Sequence, residues 1–116
     1  MSKKKVVVII KSNPFGWKTF EALRQAVGMA MDHDVTVIFL KDGVYALTDW
    51  KPQLIGVPLS DKSVEALSML SGKIYAEKES ISERGLIKSI KYSEVQQKSK
   101  DDICNLIKEA EVVITW

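Results

Sequence analysis

One cysteine, one histidine and three prolines are all that the 116 residues contain of these types, and each scarcity closes off a class of structure or chemistry. A lone thiol, Cys104, cannot form a disulfide within the chain, which fits a reducing, cytoplasmic setting. His33 and Cys104 are the only soft metal ligands, and neither has a partner at ligand spacing. No metal site and no cofactor are therefore expected. Charge of one sign is also lacking. A net charge of +2 is too small to imply nucleic acid or an anionic membrane as partner. The short basic run Lys3 to Lys5 reads as a solvated N-terminus. Long apolar runs are missing as well: Val6 to Ile10 is too short for a signal-peptide core or a membrane span.

What is present is an ordinary globular mixture, 46% hydrophobic and 28% charged, long enough for one domain over residues 1–116. Val6-Val-Val-Ile-Ile10 is a β-branched run of the kind found in a central strand covered on both faces. Val35 to Leu40 is a second. Ile74 to Ala76, Ile87 to Tyr92 and Val112 to Trp116 are shorter candidates for three more strands. Between them, Phe20, Leu23, Val27, Ala30 and Met31 recur at helical spacing, as do Val64, Leu67 and Leu70 behind a Ser60-Asp61 cap. Ile103, Leu106, Ile107 and Ala110 form a third periodic set, entered through Ser99 with Asp101 and Asp102 in the first turn. Strand and helix alternate, which predicts an α/β fold with a mostly parallel sheet and helices on both faces. Asp49 to Leu59 reads as a loop over the sheet edge.

In such a sheet, ligands gather outside the carboxyl ends of the strands. The first strand exits through Ser12-Asn13-Pro14-Phe15-Gly16-Trp17, where helix-start amides are able to hold an anion. Gly16-Trp17-Lys18-Thr19 is not a phosphate-binding loop, since a residue separates glycine from lysine and no upstream glycine permits the wrapped turn. A plain Pro/Gly turn remains the competing reading. The second strand ends in Lys41-Asp42-Gly43, a tight turn, with Val44 to Leu47 forming one helical turn across the strand ends. Asp42 is a turn-former or an acid, and Tyr45 a packing residue or a proton donor. The third strand runs into Glu77-Lys78-Glu79, with Glu83 and Arg84 close behind. These carboxylates are a paired site or a solvated, subunit-facing loop, and Ser80 with Glu83 fits a capping box. Asn13, Phe15, Asp42, Tyr45, Glu77 and Lys78 are expected to line one shallow cleft, with Glu77 facing it. Cys104, beside the apolar face of the last helix, is expected to be buried. His33 reads as an exposed turn residue at the opposite edge of the sheet.

Four segments together resemble the DsrE/DsrF-like (TusBCD-type sulfur-relay) family, most closely its TusC/DsrF branch. They are the opening strand with Pro14-Phe15-Gly16, the Lys41-Asp42-Gly43-Val44-Tyr45-Ala46-Leu47 segment, Ser82-Glu83-Arg84-Gly85-Leu86, and the closing Val112-Val113-Ile114-Thr115-Trp116. The resemblance implies a three-layer α/β/α domain with a five-stranded parallel sheet that works inside oligomers. In the family, a cysteine eight residues before the glycine of the "RGL" piece carries sulfur as a persulfide. Here that position is Glu77. A carboxylate cannot hold transferable sulfane sulfur, which needs a thiolate.

The combined reading is a non-catalytic or regulatory component of sulfur-transfer metabolism. It would associate with itself or with cysteine-bearing DsrE-family subunits, with neither nucleic acid nor membrane as partner. A binding module for a small anion at the strand carboxyl ends is the rival. Acid–base catalysis by Glu77 and Asp42 ranks behind both.

Overall fold

The run Val6 to Ile10 is buried along its whole length because side chains of successive residues alternate between two covered faces. In the computed structural model, which describes residues 3–116, it belongs to strand β1, Lys5–Ile10. Met1 and Ser2, part of the domain expected over 1–116, lie outside the described residues. The chain continues through α1 (Lys18–Ala30), β2 (Asp34–Phe39), a 3-10 helix (Lys41–Leu47), a second 3-10 turn (Pro52–Ile55) and α2 (Asp61–Met69). Then come β3 (Lys73–Glu77), α3 (Lys78–Glu83), β4 (Gln96–Lys98), α4 (Lys100–Glu109) and β5 (Val112–Thr115).

The described residues form one sheet of five strands in the order β4-β3-β2-β1-β5, every neighbouring pair parallel. From β1 to β4 the chain steps in one direction, so right-handed crossovers place α1, α2 and α3 on one face. The return from β4 to β5 runs the other way and carries α4 across the opposite face. The side chains divide accordingly. Val6, Val8, Ile10, Val35, Val37 and Phe39 pack against Leu23, Val64 and Ile81, whereas Val7, Ile9, Ile38 and Tyr75 meet Ile103 of α4. This is the three-layer α/β/α arrangement. Helix α1 turns Ala22, Leu23, Ala26 and Ala30 inward, three of them small enough to bring its backbone near the sheet. Leu23, 1% exposed, is the large side chain among them, and its truncation to alanine would cost about 3 kcal/mol.

The fourth strand is not Ile87 to Tyr92 but Gln96–Lys98, which pairs with Tyr75, Ala76 and Glu77. Residues 87–92 instead run beside the end of the Lys41–Leu47 3-10 helix, joined to it by one isolated antiparallel bridge between Thr48 and Ile90 and by the Lys91 N–H donating to the Leu47 carbonyl. Ile90 and Tyr92 pack partly buried on the main core, and the Tyr92 hydroxyl donates to Asp61 Oδ1 at 2.6 Å. Their apolar alternation reflects that packing and not a ladder. Ser60 also differs from expectation: its backbone is helical and its side chain caps nothing, although its carbonyl accepts the N–H of Val64. Ser99 does cap α4, accepting the N–H of Asp102 at 3.2 Å.

Candidate functional site

Three strand ends deliver the candidate residues. Beyond β1, Asn13 Oδ1 accepts the N–H of Phe15 at 3.0 Å, closing a side-chain turn that throws Phe15 outward, 63% exposed. Phe15 stands edge-on to Trp50 with ring centroids 5.5 Å apart, and Trp17 stands in the same relation to Phe20. Trp17 occupies the cap position of α1 without a side-chain hydrogen bond to the helix. Lys11, Asn13, Phe15, Gly16, Lys18 and Asp42 line an open depression of about 430 Å³.

Beyond β2 the chain turns at once into the 3-10 helix, as the sequence predicts. Lys41 takes a left-handed conformation, φ +52°. Gly43 lies against the end of β1, where any Cβ would collide with the Ile10 carbonyl. Glycine is thus required there by close approach and brings Asp42 to the rim of the depression. Tyr45 is half-buried in the same turn and does not line it.

Beyond β3 there is no loop. Glu77 occupies the cap position of α3 without a side-chain hydrogen bond to a helix amide, and α3 starts at Lys78, so Ser80 sits inside the first turn and the expected Ser80–Glu83 capping box does not form. Glu77 is buried, 7% exposed, and faces inward. Its Oε1 accepts from Ser80 Oγ at 2.5 Å, and Ser80 Oγ accepts the N–H of Lys41 at 2.9 Å. Gly85, φ +66°, closes α3: its N–H reaches the Ser82 carbonyl and the Leu86 N–H reaches that of Ile81. Arg84 bends back to Asp42, and its Nη1 donates to the Ser80 carbonyl at 3.2 Å. The Glu79 carboxylate accepts the N–H of Lys100 at 3.1 Å, covering the first amide of α4.

The expected cleft is therefore narrower than the six residues proposed for it. Asn13, Phe15 and Asp42 share the depression with Gly16. Glu77 is directed away from it, Tyr45 is packed, and Lys78 is exposed at the start of α3 without lining it. The inward turn of Glu77 follows from Ser80, a hydroxyl three residues on that no motif singles out as a partner. Sequence reasoning also missed Lys11 and Lys18, which add two positive charges to the depression. Cys104 is exposed, contrary to expectation. It lies about 100° round the helix from the buried Ile103, beyond the narrow stripe that α4 lays on the sheet. His33 is half-buried, and its Nδ1 accepts the Lys4 N–H at 3.2 Å. Among the described residues, no group of three His, Cys, Asp or Glu side chains is placed to hold a metal ion. Among the same residues, no helix is long and apolar enough to cross a membrane.

A sequence model described as the DsrE/DsrF-like family matches residues 4–116. The fold is similar to that of the crystal structure of ychN protein from E. coli, with a TM-score of 0.82 over 99% of this chain and 100% of that one. At 19% identity the likeness is one of fold. No curated protein matches the chain.

Proposed function

Because this chain belongs to the DsrE/DsrF-like family, we propose that it serves sulfur-transfer metabolism as a non-catalytic or regulatory cytoplasmic component, acting through association with itself or with cysteine-bearing relatives. One observation carries the reading. At the position where the family resemblance puts a sulfur-carrying cysteine, this protein has a carboxylate that is buried and bonded internally to Ser80. No thiolate is available there to attack a persulfide, and the sole thiol lies on the outer side of α4. Exposed aromatic side chains at the strand carboxyl edge, Phe15 and Trp17, support an associating surface, since aromatic residues are enriched where proteins meet.

The test has two parts. Incubated with a persulfide-bearing donor and an acceptor thiol, the native protein should not accelerate the passage of sulfur from one to the other, and Cys104→Ser should behave identically. Sedimentation at micromolar concentration, alone and with cysteine-bearing relatives, should show a species larger than one chain. Accelerated sulfur transfer by the native protein, or a monomer under every condition, would overturn the reading.

A second reading, a small-anion binding module, is favoured by one feature. Lys11 and Lys18 line the depression, while the charge of Asp42 on its rim is offset by Arg84. Isothermal titration with inorganic phosphate, wild type against Lys11→Ala/Lys18→Ala, separates it from the first.

A further inference from the structure

A serine hydroxyl has one proton to donate and lone pairs with which to accept. In this protein the two functions of Ser80 are divided between two elements. Its proton goes to Glu77 at the end of β3, and its oxygen receives the backbone N–H of Lys41 at the end of β2. Ser80 itself is fully buried, so its bond to Glu77 is shielded from water, and its bond to the exposed Lys41 is partly so. The residue it holds is strained: Lys41, like Ser71, is left-handed without being glycine, and the turn it begins brings Asp42 to the depression and Gly43 against Ile10.

We propose that Glu77 is a positioning residue. By accepting the hydrogen bond from the Ser80 hydroxyl it leaves the hydroxyl oxygen turned toward Lys41, and so fixes the left-handed turn that places Asp42 on the rim of the depression. Position 77 then serves the shape of the strand-end edge. The relay also explains why Glu77 faces inward, where a charged residue at a strand end would ordinarily seek solvent. Arg84 reinforces the same turn from outside by gripping Asp42. This inference does not rest on the association reading: it concerns what orders one turn, and it holds or fails whichever partner the protein has.

Amide hydrogen exchange measured residue by residue tests it, with Lys41 and Asp42 read as ratios to the core amides of Val8 and Ile38 in the same sample, so that global loosening cancels. Glu77→Ala should raise the Lys41 ratio by about tenfold or more, and Ser80→Ala should do the same. Glu77→Gln keeps an oxygen that accepts from Ser80 and should stay near wild type. An unchanged Lys41 ratio in Glu77→Ala overturns the proposal. So does a Glu77→Gln variant as exposed as the alanine one, because burial and not acceptance would then be what matters. Should Glu77→Ala fail to fold, the Ser80→Ala and Glu77→Gln pair decides alone: release of Lys41 in the first with retention in the second upholds the relay, and any other pattern rejects it.

Discussion

Arg84 and Asp42, 42 residues apart in the chain, meet through a single carboxylate oxygen: Asp42 Oδ1 lies 3.1 Å from Arg84 Nε and 3.0 Å from Nη2. The arginine side chain is 19% exposed and the aspartate 55%, so the pair sits at the rim of the fold and is partly screened by water. Its coupling in a double-mutant cycle should be no more than about 1 kcal/mol. The two single variants should nevertheless differ. Asp42→Ala removes only the ion pair. Arg84→Ala also frees the Ser80 carbonyl and uncovers surface beneath its stem, and should cost about 2 kcal/mol in urea unfolding. Equal losses for the two variants would mean that the ion pair alone accounts for the role of Arg84.

Two glycine-to-alanine changes should act in opposite directions. Gly43→Ala drives a methyl group into the Ile10 carbonyl and should cost about 3 kcal/mol, since neither backbone can retreat without breaking strand contacts. Gly28, within α1, is exposed and has nothing within 4 Å of its missing Cβ. Alanine there should stabilise the protein by about 0.5–1 kcal/mol through helix propensity. Thermal midpoints of both variants check the pair.

Tyr92 and Asp61 make stability depend on pH at both extremes. The hydrogen bond from Tyr92, with help from Lys91, holds the Asp61 carboxyl below its usual range. That contribution is present above the unfolded carboxylate value and disappears as pH falls below about 4, where the unfolded chain takes up protons first. Burial, with the neighbouring Asp61 carboxylate, pushes the Tyr92 hydroxyl up. Above about pH 10 the unfolded chain therefore loses that proton first, and stability falls as pH rises. Unfolding measured across pH should show Tyr92→Phe less stable than wild type near neutrality, with the difference shrinking at both ends. A pH-independent difference would remove the bond as its cause.

Cys104 should react readily with iodoacetamide in the native protein, being exposed. In Glu77→Cys, the new thiol occupies a position only 7% exposed and should alkylate about tenfold more slowly than Cys104 in the same molecule. Peptide mass spectrometry resolves the two. Rapid labelling at position 77 would show that the end of β3 opens in solution.

The amino-acid sequence by itself determined the class of fold, the family resemblance and the placement of β1, β2, α1 and the Lys41–Leu47 turn. Each of these is written in local terms: continuous β-branched runs for strands buried on both faces, a 3.6-residue apolar period, and an Asp-Gly tight turn. Tertiary structure decided the rest. Gln96–Lys98 has no apolar pattern to betray it, because an edge strand is held by backbone hydrogen bonds along one side and needs no buried side chains. In residues 87–92, Ile90 and Tyr92 pack on the main core beside the end of the Lys41–Leu47 turn while Ile87 is exposed, so their apolar content mimics a strand in sequence. Cys104 is exposed because α4 presses only a narrow stripe on the sheet, a width that depends on how the helix sits and not on its periodicity. The direction of Glu77 was the least legible feature of all. Whether a carboxylate at a strand end faces water or the interior depends on the hydroxyl that meets it, and the Ser80–Lys41 contact joins elements 39 residues apart.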